Sequence, residues 1–255
     1  IKSRIFFILN GRHMREIRIY TAQYLDAGQE VALDDDAHRH AARVLRLAVG
    51  DALTLFNGDG CDYSGEISHM DRRATRVRIT GRQTPGNESP LNLTLYAAIL
   101  KGEAMDRVMQ KAVELGARRI VPVIAARSEA LPPGERRDKK LAHWQGIIIA
   151  SAMQCGRAVL PPLDAITPLA DVLAAADGLR WIFTPHHAPE GASPAATDRL
   201  SLLIGPEGGF TPAEVEAAQA AHWQPQHLGP RILRADTAAT VAIARAQSRY
   251  GDLSR

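Results

Sequence analysis

A chain of 255 residues, 45% hydrophobic and 23% charged, has the make-up of a globular protein with material for one or two cores. Its two cysteines, Cys61 and Cys155, lie far apart with no CxxC or Cys/His metal spacing, so a disulfide scaffold is excluded and a reducing, cytoplasmic compartment is expected. No apolar run approaches the ~18–20 residues of a membrane helix, and a net charge of +3 is too small to argue for a nucleic-acid partner by itself.

Residues 1–13 lead into Gly11-Arg-His-Met14, which reads as a cloning scar. Met14 is the expected natural start, and 1–13, read as an expression-tag remnant, are set aside from the functional reading. Residues 14–84 then hold short strand-like segments at 17–20, 52–56, 63–67 and 75–80, separated by turn residues such as Asn57-Gly-Asp-Gly60. Thr75-Arg-Val-Arg-Ile-Thr80 alternates with period two, as a half-buried strand does. One helix is expected over 36–47, with an acidic start and Gly50 beyond its end. These spacings predict a small β-barrel.

Residues 85–90, Pro-Gly-Asn-Glu-Ser-Pro, read as a linker. Beyond it the grammar changes. A continuous apolar strand is expected at 93–100 and an amphipathic helix at 103–115, with Met105, Val108, Met109, Ala112 and Val113 on one face and Gly116 closing it. A strand at 119–125, a helix at 138–153 and short buried strands at 181–183 and 201–204 follow. Thr211-Pro-Ala-Glu214 is a capping box with proline at the first helical position, and a last helix spans 237–250. Strands alternating with helices over 91–255 imply an α/β domain with a parallel sheet.

Two loops stand out. Gly205-Pro-Glu-Gly-Gly-Phe210 follows a strand and precedes the capping box. It lacks the lysine and hydroxyl of a Walker A loop and the spacing of the GxGxxG fingerprint, and its single acid disfavours phosphate. A neutral or cationic ligand against bare backbone suits it; so does a plain strand-to-helix turn that uses glycine for geometry, slightly the better reading of this loop alone. Leu228-Gly-Pro-Arg-Ile-Leu-Arg-Ala-Asp-Thr-Ala238 leads into the last helix. Loops of this kind on neighbouring strands form walls of one pocket at the carboxyl edge of a sheet.

Read together, these loops resemble a bacterial family, the methyltransferases that modify N3 of a uridine in small-subunit ribosomal RNA, within the SPOUT superfamily. His40-Ala-Ala-Arg-Val-Leu-Arg-Leu-Ala-Val-Gly-Asp51, Lys101-Gly-Glu-Ala-Met-Asp-Arg-Val-Met-Gln-Lys-Ala-Val-Glu-Leu-Gly116 and Gln154-Cys-Gly-Arg157 are similar to that family's segments, in its order. The resemblance implies a PUA-like RNA-binding barrel, then a SPOUT domain with a C-terminal trefoil knot that acts as a homodimer. It also implies an S-adenosyl-L-methionine site at Thr184, Leu203, Ile204, Gly205, Glu207, Gly208, Gly209, Leu228, Gly229, Ile232, Leu233, Arg234, Thr237 and Ala238. The partner it implies is small-subunit (16S) ribosomal RNA, on the assembled subunit, with no membrane and no metal. Two residues depart from the family pattern: Met153 stands where a glutamate is expected before Gln154, and Asp236 where glutamate is common.

The chemistry the resemblance implies needs a base or anion stabiliser, because N3 of uridine carries a proton. Asp236 is the candidate base or orienter, its alternative being an acid at a helix N-terminus. Arg231, Arg157 and Arg234 are candidates for anion contacts, with surface or interface arginines as the alternative. RNA contact is expected from Arg39, Arg43 and Arg46, at helical spacing, and from Arg72, Arg73, Arg76 and Arg78 on and beside a strand. A rival reading keeps the fold but not the catalysis, as an RNA-binding assembly factor; another moves the methylation to a different RNA.

Overall fold

The structure is a computed structural model that describes residues 17–130, 134–184 and 194–253. The segment read as a tag remnant, 1–13, lies outside the described residues. The chain divides into two compact units between Thr84 and Pro85.

The first unit is built on a five-stranded sheet of β1 (Arg18–Tyr20), β2 (Glu30–Ala32), β3 (Ala52–Phe56), β4 (Asp62–Met70) and β5 (Thr75–Gln83), in the order β1-β3-β4-β5-β2. β1 runs parallel to β3 and the other pairs are antiparallel. In β5 the period-two pattern does what it predicts. Thr75, Val77 and Ile79 are buried, while Arg76, Arg78 and Thr80 face out. β2 was not expected, because three residues carry too little alternation to register. The expected barrel takes a different form among the described residues. No backbone ladder joins β1 to β2, and the side-chain amide of Gln23 donates to the Ala32 carbonyl at 2.6 Å instead.

The helix of this unit also differs from expectation. α1 (Asp35–Arg39) starts at Asp34, whose carboxylate accepts the Ala37 amide at 2.8 Å, and continues as π-helical backbone over His40–Leu45. It stops at Arg46, which is left-handed at φ 56°.

The second unit is a six-stranded, wholly parallel sheet in the order β11-β9-β10-β6-β7-β8. Its strands are β6 (Asn92–Ala98), β7 (Arg119–Ile124), β8 (Thr167–Pro168), β9 (Leu179–Phe183), β10 (Arg199–Ile204) and β11 (Gln224–Gln226). The helices are α2 (Glu103–Glu114), α3 (Glu135–Cys155), α4 (Leu169–Ala175), α5 (Pro212–Ala220) and α6 (Ala235–Tyr250). Burial on both faces explains the mostly apolar run of β6 from Leu93 onward, broken by Thr94. Tyr96, Ala98, Val123, Ile182 and Leu203 form one face of the core with α4 and Ala218 of α5. α6 packs against β10 and α2, and the five apolar residues of the α2 stripe are all fully buried. Pro122 is tolerated because, by strand alternation, it faces the same edge as Ile120. There the Leu163 bridge ends before β8 begins.

The expected linker is no free tether. The Ser89 hydroxyl is buried and donates to Gln247 Oε1 of α6 at 2.6 Å, and Glu88 is bound by Arg157.

Candidate functional site

Four neighbouring strands, β11, β9, β10 and β6, run parallel, so their carboxyl ends open on one edge of the sheet. The segments leaving those ends enclose a cavity of about 680 Å3. Leu100 comes from beyond β6, Phe183 and Thr184 from the end of β9, Ile204 to Gly209 from β10, and Leu228, Gly229, Arg231 to Asp236 and Ala238 from beyond β11. The size lies within the range of small-molecule sites.

The glycine loop is held from several directions. Its exit is fixed by the capping box of α5: the Thr211 hydroxyl accepts the Glu214 amide and Glu214 accepts the Thr211 amide at 2.8 Å. The other oxygen of Glu214 accepts the Ala126 amide at 2.7 Å. Glu207 accepts the Lys101 amide at 2.9 Å, and Arg127 donates to the Gly208 carbonyl at 2.7 Å. A Cβ at Gly205 would stand 3.0 Å from the Phe210 ring, and Gly209 sits at φ +66°. The glycines therefore serve close approach and a left-handed turn. The second loop is tied at its root, where Arg245 of α6 donates to the His227 carbonyl at 2.9 Å.

Of the residues expected at a ligand, Thr184, Ile204, Gly205, Glu207, Gly208, Gly209, Leu228, Gly229, Ile232, Leu233, Arg234 and Ala238 line the cavity, as do Arg231 and Asp236. Leu203 and Thr237 do not. Alternation along β10 turns Leu203 into the core beneath α4, and Thr237 is exposed on the first turn of α6, its amide donating to Asp236 Oδ1 at 3.0 Å.

Arg157 departs most from its expected role. Its side chain is 4% exposed; it binds Glu88 through Nε and Nη2 at 2.9 and 2.8 Å, and its Nη1 donates to the Val113 and Ala117 carbonyls. It satisfies the carbonyl end of α2 and pins the segment before β6. It does not line the cavity. Met153, half-buried near the end of α3, does not line it either.

Asp236 is flanked by a residue that the reading of sites from sequence overlooked. Arg107 of α2 donates from Nε to Asp236 Oδ2 at 2.7 Å, and both side chains line the cavity. Burial alone would raise the Asp236 carboxyl, but the Arg107 and Thr237 hydrogen bonds with the Arg107 charge outweigh it and hold it below the usual carboxylate range. The Asp236 bond, opposed by burial, raises Arg107 in turn. The partners lie 129 positions apart, so no local pattern could pair them. The signal in the sequence was a cation on the polar side of α2, just after its acidic first turn.

The expected RNA contacts all lie in the first unit. Arg39, Arg43 and Arg46 are exposed, but the π-helical turn and the left-handed Arg46 undo their α-helical spacing. Arg39 is paired to Asp36. Arg72 and Arg73 stand exposed in the β4–β5 turn, where Asp71 accepts the Arg73 and Ala74 amides and its carboxyl falls to about 2. Arg76 and Arg78 share the outer face of β5, and Arg76 lies 3.5 Å from Glu30.

Comparison with known proteins names the class that this sheet edge and its loops define. Residues 87–247 match the family described as RNA methyltransferase domain, and residues 33–80 match the one described as RNA methyltransferase PUA domain. A Buchnera aphidicola ribosomal RNA small subunit methyltransferase E is 32% identical over 93% of this chain and 98% of its own length; that of Mycobacterium bovis is 32% identical over 86% of both. The chain belongs to the ribosomal RNA small subunit methyltransferase E family. The Neisseria gonorrhoeae member, solved bound to S-adenosyl methionine, superposes with TM-score 0.88 at 35% identity, covering 94% of this chain and all of that one. A Legionella pneumophila methyltransferase solved with the same cofactor gives TM-score 0.90 at 37% identity, over 94% of this chain and all of that one.

Proposed function

We propose that this protein transfers a methyl group from S-adenosyl-L-methionine to N3 of a uridine in small-subunit (16S) ribosomal RNA, on the assembled subunit in the cytoplasm. The observation that carries this reading is the convergence of the two loops on one cavity at the carboxyl edge of a parallel sheet, in a chain whose relatives hold that cofactor.

The residues suit that cofactor. Leu100, Ile204, Leu228 and Leu233 offer apolar walls, and the glycines let a ligand lie on the main chain. Glu207, spent on the Lys101 amide, shapes the loop and disfavours a phosphate ligand. When bound, S-adenosyl-L-methionine supplies a methyl already activated by its sulfonium. What remains for this chain is to hold uracil in line, keep water out and take the N3 proton. Asp236 is the acceptor. Its carboxyl is held ionised, hence a weak base, so it takes the proton as N3 gains its new bond rather than beforehand. Arg231 and Arg234, exposed on the same wall, offset charge that spreads to the uracil oxygens or bind a phosphate.

The same reading extends to the architecture. The second unit is a SPOUT domain whose C-terminal part forms a trefoil knot. Support comes from the return of β11 beside β9 and of α6 onto β10 and α2. The protein acts as a homodimer: Ile232 on the cavity wall is 79% exposed and Val241 of α6 39%, an apolar edge that a second copy would cover. Residues 14–84 present their arginines to RNA.

The test is transfer of labelled methyl from S-adenosyl-L-methionine to small subunits and to naked RNA from cells lacking the modification, with the products resolved as nucleosides. Labelled 3-methyluridine, with the subunit the better acceptor, is the expected result. Another labelled nucleoside would move the target. No label together with no cofactor binding would overturn the enzyme and favour an inert RNA-binding factor.

A further inference from the structure

The edge of uracil that carries N3 presents an acceptor, a donor and an acceptor in a row: a carbonyl, the N3–H and a second carbonyl. A site that reads it needs an acceptor opposite N3–H with a donor at its side. The cavity holds one such couple built across two elements, Asp236 at the start of α6 and Arg107 on α2. We propose that Arg107 is a specificity-determining and positioning residue, which fixes the Asp236 carboxylate opposite N3–H and donates from a terminal nitrogen to the adjoining uracil carbonyl. This rests on the uridine-N3 reading above and names the residues that would select the base.

The geometry leaves both partners capacity for the task. Arg107 spends Nε on Asp236 and has five N–H donors in a planar fork. Its Nη1 has Glu103 at 3.8 Å, a carboxylate whose side chain is 91% exposed and free to move aside. The Asp236 oxygens each accept one bond, from Arg107 and from the Thr237 amide, and a carboxylate offers about four acceptor directions. The Asp236 side chain is 13% exposed against 49% for Arg107, so the acceptor is sheltered while the donor reaches the opening. Cytosine would place a lone pair, not an N–H, against the carboxylate, and, where the carbonyl that Arg107 reads is the one at C4, an amino group against the guanidinium. Both contacts repel, which is how a polar couple rejects a base of the same shape.

The test compares wild type with Arg107→Met, which keeps the length without the donors, and Arg107→Lys, which keeps the charge without the fork. Readouts are kcat and KM on small subunits, the affinity for S-adenosyl-L-methionine, and the acid limb of the kcat–pH profile. Charged groups on the elements facing Asp236 are Arg107, Glu103 and Asp106 on α2, Glu207 after β10, and Arg231 and Arg234 ahead of α6. The expected result for Arg107→Met is a kcat loss of about 100-fold with cofactor affinity kept within about 3-fold, and an acid limb moved to higher pH. Arg107→Lys should recover part of kcat but not the fork-dependent selectivity for uridine over cytidine at the target position. The Asp236→Asn and Arg107→Met effects should be less than additive together, as for two parts of one device. Arg107→Met with near-normal kcat and an unmoved limb would overturn the proposal, as would loss of cofactor binding in step with kcat. A wild type that methylates another nucleoside would instead sink the reading beneath it.

Discussion

At the scale of single residues, Arg157 and Asp236 are both ion-paired, yet the structure puts them to different uses. Arg157 is buried, bound bidentately to Glu88 and bonded to the carbonyls of Val113 at the end of α2 and of Ala117 just beyond it. Removing Arg157 cuts three anchors at once and leaves the part-buried Glu88 carboxylate with Arg118 at 3.7 Å. Arg157→Met should therefore destabilise the protein by about 3 kcal/mol, seen in urea unfolding. The folded fraction should keep its kcat, and a large kcat loss at unchanged stability would return Arg157 to the reaction. Asp236→Asn should do the reverse, lowering kcat by about 100-fold or more with cofactor affinity retained; turnover within about 3-fold of wild type would end its assignment as proton acceptor. The pH sign follows from the depressed carboxyl. The Arg107–Asp236 pair adds stability above the unfolded aspartate value, and that stability is lost as pH falls through the lower folded one. Wild type should thus lose more stability than Asp236→Asn between pH 5 and the acid transition.

At the scale of elements, the glycine loop and α5 work as one unit. Thr211 and Glu214 close the helix start, and Glu214 also binds the strand-β7 side through Ala126. Thr211→Ala should cost about 1 kcal/mol, read as a lower Tm, and should weaken S-adenosyl-L-methionine binding because the loop loses its exit anchor. Gly205→Ala tests close approach more directly. Its new methyl would press on the Phe210 ring. A several-fold weaker cofactor affinity is expected in calorimetry, and unchanged affinity would mean that the glycine serves the turn alone. Capping signals, the α2 stripe and the β5 alternation were legible because each is written within a few residues. The π-helical turn over His40–Leu45 was not, and neither were β2 and α4. A change of pitch leaves the residue types of a helix unchanged, and three to seven residues hold too little pattern to separate from a loop.

At the scale of the whole molecule, RNA binding should be dominated by phosphate contacts from the first unit. Affinity for the RNA should then fall steeply with salt. Replacing Arg72 and Arg73 by alanine should flatten the slope of log K against log salt by about 0.7 for each phosphate no longer neutralised, without changing cofactor affinity in the second unit; an unaltered slope would clear those arginines of the role. The sequence by itself determined the two-part organisation, the parallel α/β character of residues 91–255 and the two loops of the cavity, with Asp236 in the second. The organisation and the loops follow from local periodicity, caps and turn chemistry; the role of Asp236 comes from the chemistry that the family resemblance implies. Only the tertiary structure decided that the segment 85–90 is bound rather than loose, that Arg157 is buried against Glu88 and the end of α2, and that Arg107 faces Asp236. Each of those depends on residues far apart in the chain meeting across the sheet edge or between helices. Such a meeting is fixed by the packing of whole elements and leaves no mark in any short stretch of residues.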